Sequence, residues 1–313
     1  MFLTAVPGLV MAQDVVRIVV LPGTQLFPMA IMEKQGIAKK YNLDIKRRDV
    51  VSVEALYTSL RAGEVDVGFG AWVSIALFRS QGADLTAVYS MYGFTNDVLV
   101  RKDSPLKSFA DLKGKRIGLF GGPAAGTTTL FRLESIKFFS FDPMKESKVQ
   151  FGAPPLLRGL LAKGEIDAAL LLDPLIVSML ETGEFRSIGN IGDIYREKTG
   201  TDPLLVAVVT HGNFYKKNPD AVRRFVTAYK ESVDYIKAHP EVWEELAKLV
   251  GIKTKGGAEL LRKRVEPKLF TRWDQEFINQ QIRLGEDIGT TLGKQFWPGV
   301  PEGTFSLDFV PTR

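Results

Sequence analysis

The chain contains no cysteine. That excludes disulfides, thiolate catalysis, cysteine-ligated metal and the lipidated cysteine by which some exported chains are tethered to a membrane. Histidine is nearly as scarce, two in 313 residues. His211 and His239 each stand beside a turn residue, Gly212 and Pro240, which suits structural use better than metal binding or proton transfer. Beyond the N-terminus no apolar run approaches the roughly 20 residues needed to cross a bilayer, so the body of the chain is expected to be soluble and any membrane role to pass through a partner. One-sided charge is missing too, since 41 Lys and Arg oppose 36 Asp and Glu. The basic groups Lys39-Lys40, Arg47-Arg48 and Arg262-Lys263-Arg264 are short, scattered and not interleaved with aromatics. They read as solvated surface, and no nucleic-acid partner is expected.

What is present is ordinary globular material: 45% hydrophobic and 25% charged residues, on a chain long enough for two lobes with cores. Met1 to Ala12 is an uncharged apolar run ending in Val10-Met11-Ala12. It has the character of a signal-peptide remnant, residues 1–12, which sets export to the periplasm as the expectation and removes these residues from fold reasoning.

The most informative feature is a repeat. Leu60-Arg61-Ala62-Gly63-Glu64-Val65-Asp66-Val67 returns as Leu161-Ala162-Lys163-Gly164-Glu165-Ile166-Asp167-Ala168. In each copy a helical stretch stops at a glycine suited to the left-handed C-terminal conformation, and a short apolar strand follows, Val65 to Phe69 or Ile166 to Leu172. Upstream, strand Val16 to Leu21 enters a helix through Pro22-Gly23-Thr24, and strand Arg116 to Phe120 does so through Gly121-Gly122-Pro123. Each half therefore reads β-α-β-α-β, a small doubly wound α/β lobe with ligand groups at the carboxyl ends of its strands. Asp97 to Arg101 and Leu204 to Thr210 are expected to pair as crossover strands between the lobes. This gives residues 13–101 and 205–313 as lobe 1 and 102–204 as lobe 2. Asn218-Pro219-Asp220 opens a helix whose apolar face runs from Val222 to Ile236, and further helices, around 240–250 and 273–288, are expected to pack back on lobe 1.

The glycine-rich turn from Gly121 to Thr129 opens a helix, so backbone N–H groups and a positive dipole end point at whatever lies above it, with Thr127 and Thr128 as added hydroxyl donors. No lysine follows in the position of a phosphate-binding P-loop. Phe27, Trp72, Tyr92 and Phe94 either grip a ring-bearing ligand or pack a core, since both uses call for the same residue types.

Several runs together, in this order, resemble the periplasmic solute-binding proteins of the sulfonate, nitrate, taurine and thiamine-precursor type, the NMT1/THI5-like family. The carriers are Leu60 to Gly70, Gln81 to Leu85, Val100 to Ser108, Asp111 to Gly118, Gly164 to Ala169, Asp173-Pro174 and Lys216 to Pro219. The resemblance runs from Val16 to near Trp297. It implies a type II periplasmic binding protein, two α/β lobes joined by two crossover strands, holding a small molecule between the lobes and delivering it to the membrane permease of an ABC importer. It implies no cofactor and no catalysis, and a monomer is expected.

Carried over by position, the ligand residues are Thr24, Gln25 and Phe27 after the first strand, Ala71 and Trp72 after the third, Tyr92 and Gly93, and on lobe 2 Gly122, Ala124, Ala125, Thr127 and Thr128. Asp173 is either a ligand acceptor or a hinge and turn residue. Where many relatives carry Gly-Ser this chain has Gly122-Pro123, losing a hydroxyl and a backbone N–H. The aromatics then favour an aromatic or heterocyclic solute, with an organic anion such as a sulfonate or carboxylate as the variant. The rival is an enzyme on the same scaffold. A pyrimidine synthase of that family uses a cysteine-rich iron site, which this chain cannot build. A chorismate dehydratase-like lyase needs fewer landmarks.

Overall fold

The computed structural model describes residues 13–50 and 52–311. The expected signal-peptide remnant therefore lies outside the described residues. In chain order the first half is β1 (Asp14–Val20), α1 (Leu26–Lys34), α2 (Ile37–Lys40), β2 (Leu43–Asp49), α3 (Val53–Arg61), β3 (Val67–Ala71), α4 (Trp72–Ser80) and β4 (Leu85–Gly93). The second is β5 (Asn96–Arg101), β6 (Arg116–Leu119), α5 (Gly126–Phe139), α6 (Pro143–Glu146), β7 (Lys148–Phe151), α7 (Pro154–Ala162), β8 (Ala168–Leu172), α8 (Leu175–Glu181), β9 (Phe185–Asn190) and α9 (Ile191–Thr199). The chain then returns through β10 (Leu204–His211) to α10 (Gly212–Lys217), α11 (Pro219–Ala238), α12 (Trp243–Leu249), α13 (Lys255–Val265) and α14 (Gln275–Leu292).

Two five-stranded sheets result, ordered β2-β1-β3-β10-β4 and β7-β6-β8-β5-β9. Three strands of each are parallel, as the β-α-β-α-β reading requires, and the next strand is antiparallel, β10 in the first sheet and β5 in the second. The repeat has a physical purpose at its aspartates. Asp66 Oδ2 accepts from Arg17 N at 2.8 Å and Nε at 3.0 Å, while Oδ1 accepts from Nη2 at 2.6 Å. Asp167 treats Arg116 the same way, at 2.8, 3.1 and 2.5 Å. Each aspartate, one residue before its own strand, thus ties that strand's start to the neighbouring parallel one, at mid-strand in β1 and at the first residue of β6. Gly63 and Gly164 sit at φ +67° and +71°, the left-handed stop anticipated for both copies.

Several expectations need correction. The segments at 97–101 and 204–210 are not paired with each other: β5 lies between β8 and β9, and β10 between β3 and β4. The second sheet therefore begins at Asn96, inside the span assigned to lobe 1. An apolar run announces a buried strand without naming its neighbours. Nor do the C-terminal helices pack on the first sheet alone. α13 lies against α8, and α14 against α5, where Lys137 bridges to Asp287 at 2.6 Å and the Tyr195 hydroxyl donates to the same carboxylate at 3.0 Å. Asn218 does not cap α11 with its side chain, because its amide donates to Phe214 O at 3.4 Å, closing α10 instead.

The core follows this arrangement. One apolar cluster fills the first sheet and its helices and continues through Leu130, Phe131 and Leu133 of α5 onto one face of the second sheet. The opposite face, with Leu157 and Leu161 of α7 and Ile176 and Met179 of α8, has its own smaller cluster. Among the described residues no helix is long and apolar enough to cross a membrane.

The chain passes between the sheets twice, at Phe94–Thr95 and at Gly200–Pro203, and the two crossings run side by side. A Cβ on Gly93 would stand 2.9 Å from Phe270 Cζ and 3.1 Å from Pro203 O. Glycine is required by this close approach. Gly93→Ala is expected to cost about 1–3 kcal/mol through overpacking, read as a lowered midpoint in urea with an unchanged slope.

Candidate functional site

The carboxyl end of β3 meets the start of α5 where the two sheets approach each other, and the turn after β1 lies beside β3. The turn after β1 is braced by Gln25, whose Oε1 accepts from Leu21 N at 3.1 Å while its Nε2 donates to Phe69 O at 3.4 Å. Tyr92 of β4 adds its hydroxyl to this group through hydrogen bonds with Thr24 and Gln25. Beside them Tyr57 of α3 lies over Gly70, where a Cβ would touch its ring at 3.0 Å. The Tyr57 hydroxyl accepts from Ala71 N at 3.0 Å and bonds with Ser74. Burial pushes the Tyr57 and Tyr92 phenols up, so both stay neutral hydrogen-bonding groups.

From the second sheet, β6 ends at Leu119 and the backbone turns through Gly121 and Gly122, at φ +95° and +85°, a conformation open to glycine. Pro123 and Ala124 are exposed on the rim, Gly122 and Ala125 half-buried. α5 then begins with Ala125 as its N-cap residue and no side-chain cap, leaving first-turn N–H groups to whatever lies over them. Thr127 is buried and donates weakly to Phe120 O at 3.5 Å. The hydroxyls of Thr128 and Thr129 are buried without a hydrogen-bond partner, which costs stability unless something satisfies them. A Cβ on Gly126 would lie 3.3 Å from Leu205 Cδ1 and 3.7 Å from Ala71 Cβ. That approach across the gap brings the expected segments around 24–25, 71, 92 and 125–128 to one place. Thr24, Gln25, Tyr57, Ser74 and Tyr92 on one side and Gly121 to Thr128 on the other contribute hydroxyls, an amide and backbone dipoles, and no Lys, Arg, Asp or Glu.

Residues 16–242 match the family described as NMT1/THI5 like. The chain belongs to this family. A Brucella abortus member of its curated relatives, named as a binding protein, is 29% identical over 91% of this chain and 87% of its own length. The Saccharomyces cerevisiae 4-amino-5-hydroxymethyl-2-methylpyrimidine phosphate synthase THI13 is 24% identical over 70% of this chain and 65% of its own. Among solved structures, the periplasmic aliphatic sulphonate binding protein SsuA from Escherichia coli superposes with a TM-score of 0.76 at 18% identity, covering 93% of this chain and 96% of that one. The alkanesulfonate-binding protein SsuA from Xanthomonas axonopodis pv. citri, bound to MOPS, gives 0.74 at 17% identity, covering 94% and 98%. The fold is therefore the two-lobed α/β periplasmic binding protein fold.

Within this family fold, four of the expected site residues are placed elsewhere than at the gap. Phe27 is fully buried edge-on against Trp243, ring centroids 5.6 Å apart. Trp72 is fully buried too, packed against Trp297 and Phe305 with Nε1 donating to Leu204 O at 2.8 Å. Both belong to the core: each begins a helix whose inner face is apolar. Gly93 is sealed by Phe270 and Pro203. Asp173 lies at the end of β8 in an ion cluster, where its carboxylate accepts from Arg264 Nε at 3.0 Å while Arg264 Nη1 and Nη2 reach Asp97 at 3.0 and 2.9 Å. The turn or hinge alternative for Asp173 is the one this geometry matches.

Arg264 also corrects the reading of 262–264 as solvated surface. Only 17% of its side chain is exposed, and that of Asp173 not at all. Burial disfavours the Arg264 charge, but Asp173 and Asp97 outweigh it and hold the guanidinium above its ordinary range. Burial in turn pushes Asp173 up to about 6 against the pull of Arg264. Sequence reasoning reached Ser74, within the span Gly70 to Ser74 that the resemblance implicates, but missed Tyr57, which sits mid-helix in α3 with no motif around it. The available signal was Gly70, bare because a ring crosses it.

Proposed function

We propose that this chain is the extracytoplasmic, periplasmic solute-binding component of an ABC importer, a monomer that captures a small organic molecule between its lobes and presents it to a membrane permease. The observation that carries the reading is the place where the two halves approach: a patch of hydroxyls, an amide and an uncapped helix start, with no charged side chain among the residues named there. The lobes are taken as the two sheets with their helices, α13 and α14 spanning them. Closure is driven by the difference in ligand affinity between the open and closed arrangements.

For the solute, neutral phenols and unpartnered threonine hydroxyls suit an aromatic or heterocyclic ring bearing hydrogen-bonding groups. The start of α5 suits a sulfonate or carboxylate on that ring, since a helix N-terminus receives an anionic group without a cationic side chain. The named ligands of the SsuA proteins agree with that second element. An enzymatic reading is favoured by the likeness to the yeast synthase, and a lyase on the same scaffold is its simplest form.

A thermal-shift screen of arylsulfonates, aromatic carboxylates, pyrimidines and alkanesulfonates tests the proposal. A true solute at a hundred times its dissociation constant is expected to add about 2.7 kcal/mol of stability and to be recovered unchanged. A compound that binds and is chemically converted would decide for the enzyme.

A further inference from the structure

A strand at the edge of a sheet offers unpaired N–H and C=O groups to any other chain, and proteins blunt such edges with charge, proline, brevity or a covering segment. Of the four sheet edges here, β2 is charged at five of its seven residues, β9 carries Arg186, and β7 is four residues long and opens on Lys148. β4 has none of these defences. It runs nine residues, Leu85-Thr86-Ala87-Val88-Tyr89-Ser90-Met91-Tyr92-Gly93, with no charge and no proline, and all nine are buried.

What covers this edge is the chain itself. Along the carboxyl half, Phe270 N donates to Met91 O at 3.0 Å and Ser90 Oγ donates to Phe270 O at 3.2 Å. Along the amino half lies a segment from beyond α14. Ala87 N donates to Thr304 O at 2.9 Å and Ser306 N to Ala87 O at 3.0 Å, forming a parallel bridge between Ala87 and Phe305. Thr86 Oγ1 donates to Gly303 O at 3.0 Å, and the Phe305 ring packs against Trp72 and Trp273. Arg79 of α4 holds the approach, its Nε on Glu302 O at 3.1 Å and its Nη1 on Leu85 O at 2.8 Å. Gly303 stands at φ +76°, and a Cβ there would collide with Arg79 Nη2. Glycine is what lets the segment pass the arginine and reach β4.

We infer that the stretch from Leu85 to Tyr89 is a strand-accepting surface whose partner is the same edge of a second copy of this chain, and that residues 302–306 keep the chain monomeric by standing in that partner's place. The pairing is self-complementary. Run antiparallel about Ala87, it lets the Ala87 N–H and C=O of the two copies exchange the bonds they now make to Thr304 and Ser306. It sets Thr86 against Val88 and Leu85 against Tyr89, so no like charges oppose. The same arrangement of β2 about Lys46 would set that lysine against its own copy, which is destabilising. An uncharged run free of proline and rich in residues that favour strands pairs with its like unless something blocks it. The inference bears on the monomer of the capture reading and is independent of the solute.

Full-length variants that loosen the segment test this by size-exclusion chromatography with light scattering over a concentration series. Ser306→Pro removes the N–H that meets Ala87 O, and Gly303→Val forces a β-branched residue into the left-handed region. The parent is expected to stay monomeric, and each folded variant to approach a doubled mass as concentration rises, with circular dichroism identifying which variants fold. A synthetic peptide of residues 302–310 in excess is expected to restore the monomer. Thr86→Lys added to the variant is expected to do the same, since it puts a charge on the freed edge. Either variant decides alone if the other does not fold. Folded variants that stay monomeric, a doubled mass that survives the peptide or the added lysine, or a parent that is already dimeric would overturn the inference. A chain for which no solute is found loses the capture reading and leaves each of these outcomes unchanged.

Discussion

Replacing Arg264 by methionine is expected to lower stability by about 3–5 kcal/mol, because it strands two carboxylates buried with no cation. Asp97 and Asp173 keep 3% and 0% of their side-chain surface in solvent, so water cannot take over the missing charge. The loss should itself depend on pH. Asp173 already sits at about 6 in the folded protein, above the roughly 3.9 of an unfolded aspartate. A raised folded value means that the folded state keeps the proton while the unfolded state gives it up, so stability falls as pH rises from about 4 to 6. Removing Arg264 takes away the group that opposes burial, and Asp173 must climb further. The destabilisation in Arg264→Met is therefore smallest near pH 4 and largest above pH 7. Urea titrations of both chains across that range measure it, and a pH-independent difference would contradict the assignment.

The second large effect concerns Glu134. It lies in α5, fully buried, and neither carboxylate oxygen makes a well-formed hydrogen bond, the Tyr195 backbone being only a weak contact. Burial pushes its pKa well up, only partly offset by the backbone at Tyr195, so the group is expected to be protonated in the fold. By the same sign, its contribution is fully present below the unfolded value near 4.3. Above it, about 1.4 kcal/mol is lost for each unit of pH until the folded group ionises. Glu134→Gln keeps the shape and removes the titration. The variant should match the parent near pH 4 and exceed it by at least about 1.4 kcal/mol at pH 8. Equal pH profiles for the two chains would show that Glu134 finds a partner or solvent in solution.

Both groups show where sequence reasoning reaches and where it stops. The duplicated Gly-Glu-[Val/Ile]-Asp run was legible because its helix stop is local: a left-handed glycine ends the helix, and an aspartate three residues later grips an arginine of a neighbouring strand. The β-α-β-α-β succession of each half followed from the same pattern. The partners of β5 and β10 did not, because their apolar runs look alike whichever sheet receives them. Helix α13 was missed for a related reason. It opens on Lys255-Gly256-Gly257 and ends in Arg262-Lys263-Arg264, a composition of surface and loop, and its one inward arginine is distinguished only by two aspartates far away in the chain.

The residues that the structure brings together at the candidate site were legible only in part. Glycines 121 and 122 with the threonines after them marked a helix start over a gap, and Thr24, Gln25 and Tyr92 came together as a polar cluster. The large aromatics misled, because Phe27 and Trp72 stand one or two residues from the gap and turn inward. Tyr57 faces it from the middle of α3, where periodicity describes only the buried side.

Native mass spectrometry of the intact chain, purified without denaturant from cells grown in rich medium, tests the central claim most directly. The account predicts one small organic molecule per chain, released chemically unchanged, and lost in Gly126→Leu, whose side chain drives against Ala71 and Leu205 and displaces the start of α5. An empty parent chain, a converted product, or undiminished retention in Gly126→Leu would contradict it.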